Sequence, residues 1–192
     1  MPADPVPLVY QLCIALRAIE PPIWRRAQVL GSMTLPRLHR VFQVAMGWTD
    51  SHLHEFTIGG QRFGQPSPES PGYYVIPERS VRLDQVTFPA TTRFEYLYDF
   101  GDGWHHDVMV ENILPAELGV HYPRCLAGAR ACPPEDCGSY PGYLELLEAI
   151  RDPRHERHEE LLEWAGGHFD PEAFDLDAVN RRLRRFRAHR AP

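Results

Sequence analysis

Two histidines stand two residues apart in Trp48-Thr-Asp-Ser-His-Leu-His-Glu-Phe56. On a β-strand, residues i and i+2 share a face, so His52, His54, Phe56 and Ile58 would lie together, and two imidazoles so placed can converge on one ligand. His106 falls on the core-facing parity of a hairpin turning at Gly101-Asp102-Gly103, with Asp99 and Asp102 near its end. Three imidazoles and two carboxylates suit a divalent metal or a phosphate. They equally suit a polar seam of core histidines donating to Asp and Tyr oxygens.

A second set is Cys125-x6-Cys132-x4-Cys137, with His121 as a potential fourth ligand. Tetrahedral zinc takes four such donors, usually including a tight Cys-x2–4-Cys knuckle, and only the second gap comes near that spacing. Small buried thiols packing an irregular loop fit the same residues. The cofactor expectation is therefore zinc or another divalent metal, with none required.

Other matches fail on context. Asp99-Phe100-Gly101 spells the kinase magnesium motif, but all 20 basic residues are Arg and the chain has no Lys. That composition also excludes Schiff-base and P-loop chemistry, which need a lysine amine. His121-Tyr-Pro-Arg124 followed by Tyr140 has the letters of a tyrosine recombinase without a helical scaffold or a basic cleft. In His155-Glu-Arg-His158 the histidines are three apart, whereas a zincin helix needs four.

The elements that must position these residues can be read from periodicity. Residues 8–17 alternate as a strand, with Leu8, Tyr10, Leu12, Ile14 and Leu16 on one face. Residues 23–30 form an edge-like second strand carrying Trp24-Arg25-Arg26. Thr34 caps a helix with Leu35, Leu38, Phe42, Ala45 and Met46 on one stripe, closed by Gly47. Residues 52–58 are a third strand, 64–72 a loop, and 73–90 carry no clear period. The hairpin 93–100/104–113 is strong. A three-residue loop would pair Phe100 with Trp104 and Tyr98 with His106, and would bury Phe94, Tyr96, Tyr98, Trp104, His106 and Val108 under the 34–46 helix. A two-residue turn would instead bury His105 and Asp107, so burial selects the longer loop. Helices are expected at about 142–151, 155–165 and 175–188.

The 192 residues suffice for one domain without staples. The reading is a single α+β domain over 1–192 with an antiparallel sheet covered by helices: 8–114 mainly strands plus one helix, 115–142 a Cys/Pro-rich loop, 143–188 helices. The net charge of −6 is uneven. Residues 135–177 hold 13 acids and three Arg, and 178–192 hold six Arg and no acid. The acidic block opposes a broad phosphate-binding face, so a protein partner is expected before nucleic acid, and no membrane. The N-terminus lacks the basic segment and apolar run of an export signal, which places the chain in the cytoplasm and its cysteines as thiols or metal ligands.

These residues carry a family resemblance: Trp24-Arg25-Arg26, the helix into Gly47-Trp48, His52-Leu-His-Glu-Phe56, Tyr98-Asp-Phe-Gly-Asp102 with Trp104 and His106, Cys132-Pro-Pro-Glu-Asp-Cys-Gly138 with Gly142-Tyr143, Asp152-Pro153, and Phe169-Asp-Pro-Glu-Ala-Phe-Asp175. From about residue 8 to 186 the chain resembles the Ri-plasmid open-reading-frame-three-like family, also labelled transposon-passenger TnpR-like. Ser139 stands where that family often has a second Gly. The resemblance implies a prokaryotic α+β domain, sometimes encoded near mobile elements, and brings no established activity, so it supplies no catalytic residue. The label suggests a resolvase, but the chain has neither a nucleophilic Ser set among Arg near its start nor a helix-turn-helix with a basic recognition face. The functional expectation is a binding or adaptor domain with Trp48, His52, His54, Asp99, Asp102, Trp104 and His106 forming its seam or pocket. The alternative is a metal-dependent hydrolase of a phosphorylated or nucleic-acid substrate, with water activated at the His/Asp cluster.

Overall fold

The computed structural model describes residues 6–66, 72–87 and 91–186. Among them, eight strands form one sheet: β1 (Leu8–Leu16), β2 (Trp24–Leu30), β3 (His54–Ile58), β4 (Gln61–Gly64), β5 (Ile76–Pro77), β6 (Arg93–Tyr98), β7 (Trp104–Pro115) and β8 (Arg124–Ala129). Their order across the sheet is β5-β4-β3-β6-β7-β1-β2-β8, antiparallel except for β4 with β5. Helices α1 (Leu35–Met46), α2 (Leu83–Thr87), α3 (Ser139–Arg151), α4 (His158–Trp164) and α5 (Leu176–Leu183) complete the α+β fold.

Period-two alternation decides which face is covered. Tyr10, Leu12, Ile14 and Leu16 of β1 are buried in one core cluster with Leu35, Leu38 and Phe42 of α1, Tyr143 and Leu146 of α3, and Leu183 of α5. The opposite face carries polar ladders. Glu111 accepts from Arg26 Nε at 2.6 Å and from Gln11 Nε2 at 2.9 Å, and Arg17 pairs with Glu95 and Asp107.

The central hairpin buries the expected face: Phe94, Tyr96, Tyr98, Trp104, His106 and Val108 are all in the interior. Its loop is longer than expected. Tyr98 pairs with Trp104, Tyr96 with His106 and Phe94 with Val108, leaving five residues, 99–103, in the turn. The register has moved by two, which preserves parity and therefore faces. Asp99 is responsible. It adopts the left-handed conformation (φ 56°), its Oδ1 accepts from Gly101 N at 2.9 Å, and its carbonyl accepts from Gly103 N at 2.7 Å. Phe100 is thereby turned outward.

Other expectations change as well: the third strand begins at His54, which leaves His52 outside it, and α2 is a second helix within 8–114. β2 is interior, because the segment expected to be irregular contributes β8 on its far side. That strand is hard to read because it needs Gly128: a Cβ there would come within 2.7 Å of Arg25 Cδ and 2.8 Å of Phe174. Thr34 occupies the N-cap position of α1 with no side-chain cap bond; its carbonyl accepts from Arg37 N and Leu38 N instead. α5 ends at Leu183, short of 188, and residues 187–192, with Arg187 and Arg190, lie outside the described residues. Its Asp175 cap is as expected, accepting from Ala178 N at 2.8 Å.

Arg25 ties these layers together. A guanidinium has five N–H donors, and here each has an acceptor. Nε donates to Ala45 O of α1, Nη1 to Trp24 O and Ala129 O, and Nη2 to Arg130 O and Cys132 Sγ. The plane also lies 4.2 Å from the centre of the Phe174 ring. Burial lowers the pKa of the group from its ordinary value, yet the carbonyl cage keeps it solvated by protein. Lysine offers three donors from a point charge and cannot reach all five acceptors. Arg25→Lys is expected to destabilise the fold by about 3 kcal/mol or more, read as a lowered urea midpoint at unchanged m-value.

Candidate functional site

The predicted seam divides into three places. The first is a core position. Trp48 stacks near Tyr98 and Trp104 and donates its indole N–H to Pro133 O at 2.8 Å. Trp104 packs on Tyr140 of α3. His106 is fully buried edge-on to Trp48, and its Nδ1 donates to Tyr96 O at 3.2 Å. A carbonyl only accepts, so Nδ1 carries the proton and Nε2 is left without a partner. Desolvation pushes this imidazole down to about 4.

The second place is a cleft of about 510 Å³ between α1, β3, β4 and the segment around β5. His54 is here, apart from His106. Its ring stacks face to face on His39 of α1, with centroids 3.5 Å apart and planes within 4°. The Glu78 carboxylate straddles His54 Nε2, with its oxygens at 3.1 and 3.2 Å. His39 belongs to a closed ring of hydrogen bonds. Its Nε2 donates to Asp50 Oδ1 at 2.6 Å, its Nδ1 accepts from Tyr96 Oη at 2.7 Å, Tyr96 Oη accepts from Gln43 Nε2 at 3.0 Å, and Gln43 Oε1 accepts from Asp50 N at 2.9 Å. Every role in that ring is consistent with a neutral His39. Desolvation, reinforced by the positive charge that the stacked His54 can carry, pushes His39 down to about 4 against the pull of Asp50.

The third place lies at the lip of the cleft. His52 Nε2 is 3.1 Å from Asp136 Oδ1, 3.6 Å from Asp99 Oδ2 and 3.9 Å from Glu135 Oε2. Glu135 is held by Tyr98 Oη at 3.0 Å and Thr49 N at 2.8 Å. Of the five residues expected to cluster, only His52 and Asp99 meet here. Asp102 is tied through its backbone carbonyl to Ser139 Oγ at 2.6 Å, and its Oδ2 is buried without a partner. Cys137 lies in the same negative field: burial first, then Asp102, Asp136 and Asp99, push its thiol up to about 12.

The structure does not bring the cysteines and His121 together as a zinc set. Cys132 contacts Met46 Sδ and Arg25, Cys125 turns to Ala127 O, and Cys137 to Ser139 O. His121 Nδ1 is buried without a partner. Burial raises the pKa of all three thiols. Among the described residues, the metal-compatible trio is His52, Asp99 and Asp136. Sequence reasoning missed His39, Gln43, Glu78, Glu135 and Asp136. The signal for the first two was present: they are polar, four apart, on the apolar stripe of α1.

The match to a family model over residues 8–178 settles kinship. The chain belongs to the plasmid pRiA4b ORF-3-like family. It is 42% identical over 174 residues to the uncharacterized protein y4hQ of Sinorhizobium fredii (strain NBRC 101917 / NGR234), covering 90% of this chain and 89% of that one. It is also similar to the crystal structure of MM3350 from Methanosarcina mazei Go1, a protein of unknown function. The TM-score there is 0.81 at 39% identity, over 90% of this chain and 98% of the other. None of these relatives carries an established activity. No helix among the described residues is long and apolar enough to cross a membrane.

Two outcomes follow from the histidine chemistry. His39 and His106 are neutral when folded, with pKa depressed to about 4, and titrate near 6.5 when unfolded. The unfolded chain therefore binds more protons between pH 6.5 and 4, and stability falls as pH drops through that window, by up to about 3 kcal/mol per histidine. His106→Phe should flatten the fall, read as a smaller difference between urea midpoints at pH 7 and 4.5. Tyr96→Phe strands Gln43 Nε2 and His39 Nδ1 in the interior and should cost about 1–3 kcal/mol in the same assay at pH 7.

Proposed function

We propose that this protein is a non-catalytic binding or adaptor domain whose cleft receives a cationic side chain of a protein partner. The observation that carries this reading is the cleft's chemistry. Glu55 and Glu78 are both buried, at 6% and 2% exposure; the exposed Asp50 joins them in the lining, which holds three carboxylates against one permanent cation, Arg40. Their contacts within the cleft are neutral or titratable: Glu55 accepts from Tyr73 Oη at 2.6 Å and Glu78 meets His54. Carboxylates held out of water favour an arriving guanidinium or ammonium over any anion.

The rim supports the same preference. Leu53, Tyr73 and Phe100 are exposed beside the cleft, and Tyr73 and Phe100 lie with their rings 6.3 Å apart. Exposed aromatics around a polar floor are a usual form of recognition surface, and an aromatic face attracts cations. The chain's own Arg62 already sits 4.4 Å over the Tyr73 ring. Hydrolysis is not proposed, because the cluster expected to activate water is divided between the core, the cleft and its lip.

The test is calorimetric titration with an Arg-rich peptide, a Glu-rich peptide and duplex DNA. The Arg-rich peptide should bind, weakened about 10- to 100-fold by Glu55→Gln, and the Glu-rich peptide should not. DNA binding tighter than roughly micromolar, with a steep salt slope removed by Arg181→Ala and Arg185→Ala, would overturn the reading in favour of a nucleic-acid arm.

A further inference from the structure

We infer that His52, Asp99 and Asp136 form a divalent-cation site, with Glu135 in reach as a fourth donor. The inference does not rest on the cationic-ligand reading of the cleft. It starts from a distance argument. An ion with bonds of about 2.1 Å to nitrogen and oxygen sets neighbouring donors about 3.0 Å apart in octahedral geometry and about 3.4 Å apart in tetrahedral geometry. His52 Nε2 lies 3.1 Å from Asp136 Oδ1 and 3.6 Å from Asp99 Oδ2, and all three donor atoms fall within 4.8 Å of one another.

The second line is the state of the donors. His52 Nε2 is shielded from solvent and makes no hydrogen bond of acceptable geometry. Asp99 is 6% exposed. Its Oδ1 is occupied by Gly101 N and Asp102 N, whereas its Oδ2 faces His52 without a hydrogen bond. An imidazole nitrogen shielded from solvent without a hydrogen bond, 3.6 Å from a carboxylate oxygen of a buried aspartate, is an arrangement that a metal completes. The remaining donors differ in role. Asp136 is exposed and approaches from the solvent side, while Glu135 is anchored by Tyr98 and Thr49 with its Oε2 3.9 Å from His52 Nε2.

Nitrogen and carboxylate oxygen without sulfur select an ion of the manganese, cobalt or zinc type over a thiophilic one. The nearby Cys137 turns its sulfur to Ser139 O. Metal-free protein would be titrated with Co²⁺ followed by visible absorption, and with Mn²⁺ followed by electron paramagnetic resonance. The expected result is one ion per chain, a Co²⁺ spectrum without a thiolate charge-transfer band, and affinity at least about 10-fold weaker in both Asp136→Asn and His52→Gln. Asp136 is at the surface, so its variant keeps the fold and circular dichroism would verify this. Absence of binding up to about a millimolar, a thiolate band, or equal binding by either variant would overturn the site. Peptide binding in the cleft is read separately, so one result can fail without the other.

Discussion

Burying one guanidinium without a carboxylate is the constraint on which the fold turns. Arg25 has to be solvated by backbone, and the carbonyls that do so come from four separate segments: the end of α1, β2, β8 and the turn after β8. None can shift without leaving a buried N–H unpaired, which costs about 1–3 kcal/mol. The C-terminal carbonyl end of α1 also presents its negative dipole to this charge. Fixing α1 in this way places its buried polar pair, His39 and Gln43, over Tyr96 of β6.

From there the polar interior assembles by donor and acceptor matching. Tyr96 both donates and accepts within one ring of hydrogen bonds, and Asp50 closes it through its side chain and its amide. The five-residue turn then does two things. Asp99 bends back to satisfy its own loop with one oxygen, and directs the other toward His52. The tight turn that orders the central hairpin thus supplies a donor at the lip of the cleft.

Faces were legible from the sequence, and partners much less so. Alternation in residues 10–16 and 93–108 indicates which side chains are buried, and a shift of two in register left that reading intact; at the start of β1 it fails, with Leu8 exposed and Val9 buried. The short strands β4, β5 and β8 were not legible, because four residues or fewer carry no period and because β8 depends on a small residue beneath Arg25 and Phe174. At the site, strand parity placed His54 and His106 on the core side of the sheet, yet parity says nothing about distance along the sheet. His52 and Asp99 were recognised. Glu135 and Asp136 sat inside the Cys132–Cys137 segment, where thiol spacing drew attention away from the carboxylates between. Glu78 comes from a stretch without periodicity.

Both borders of the sheet are blunted among the described residues, by different means. At β8, the Asn180 amide of α5 imitates a neighbouring peptide unit: Oδ1 accepts from Cys125 N and Nδ2 donates to Cys125 O, each at 2.9 Å. At the other border, β5 is two residues long and ends in Pro77, which has no N–H to offer. Strand addition is thus opposed at each border, by the Asn180 bracket on Cys125 and by the missing N–H of Pro77. Under the cationic-ligand reading proposed for the cleft, selectivity then rests on the charge and shape of single residues and not on backbone pairing.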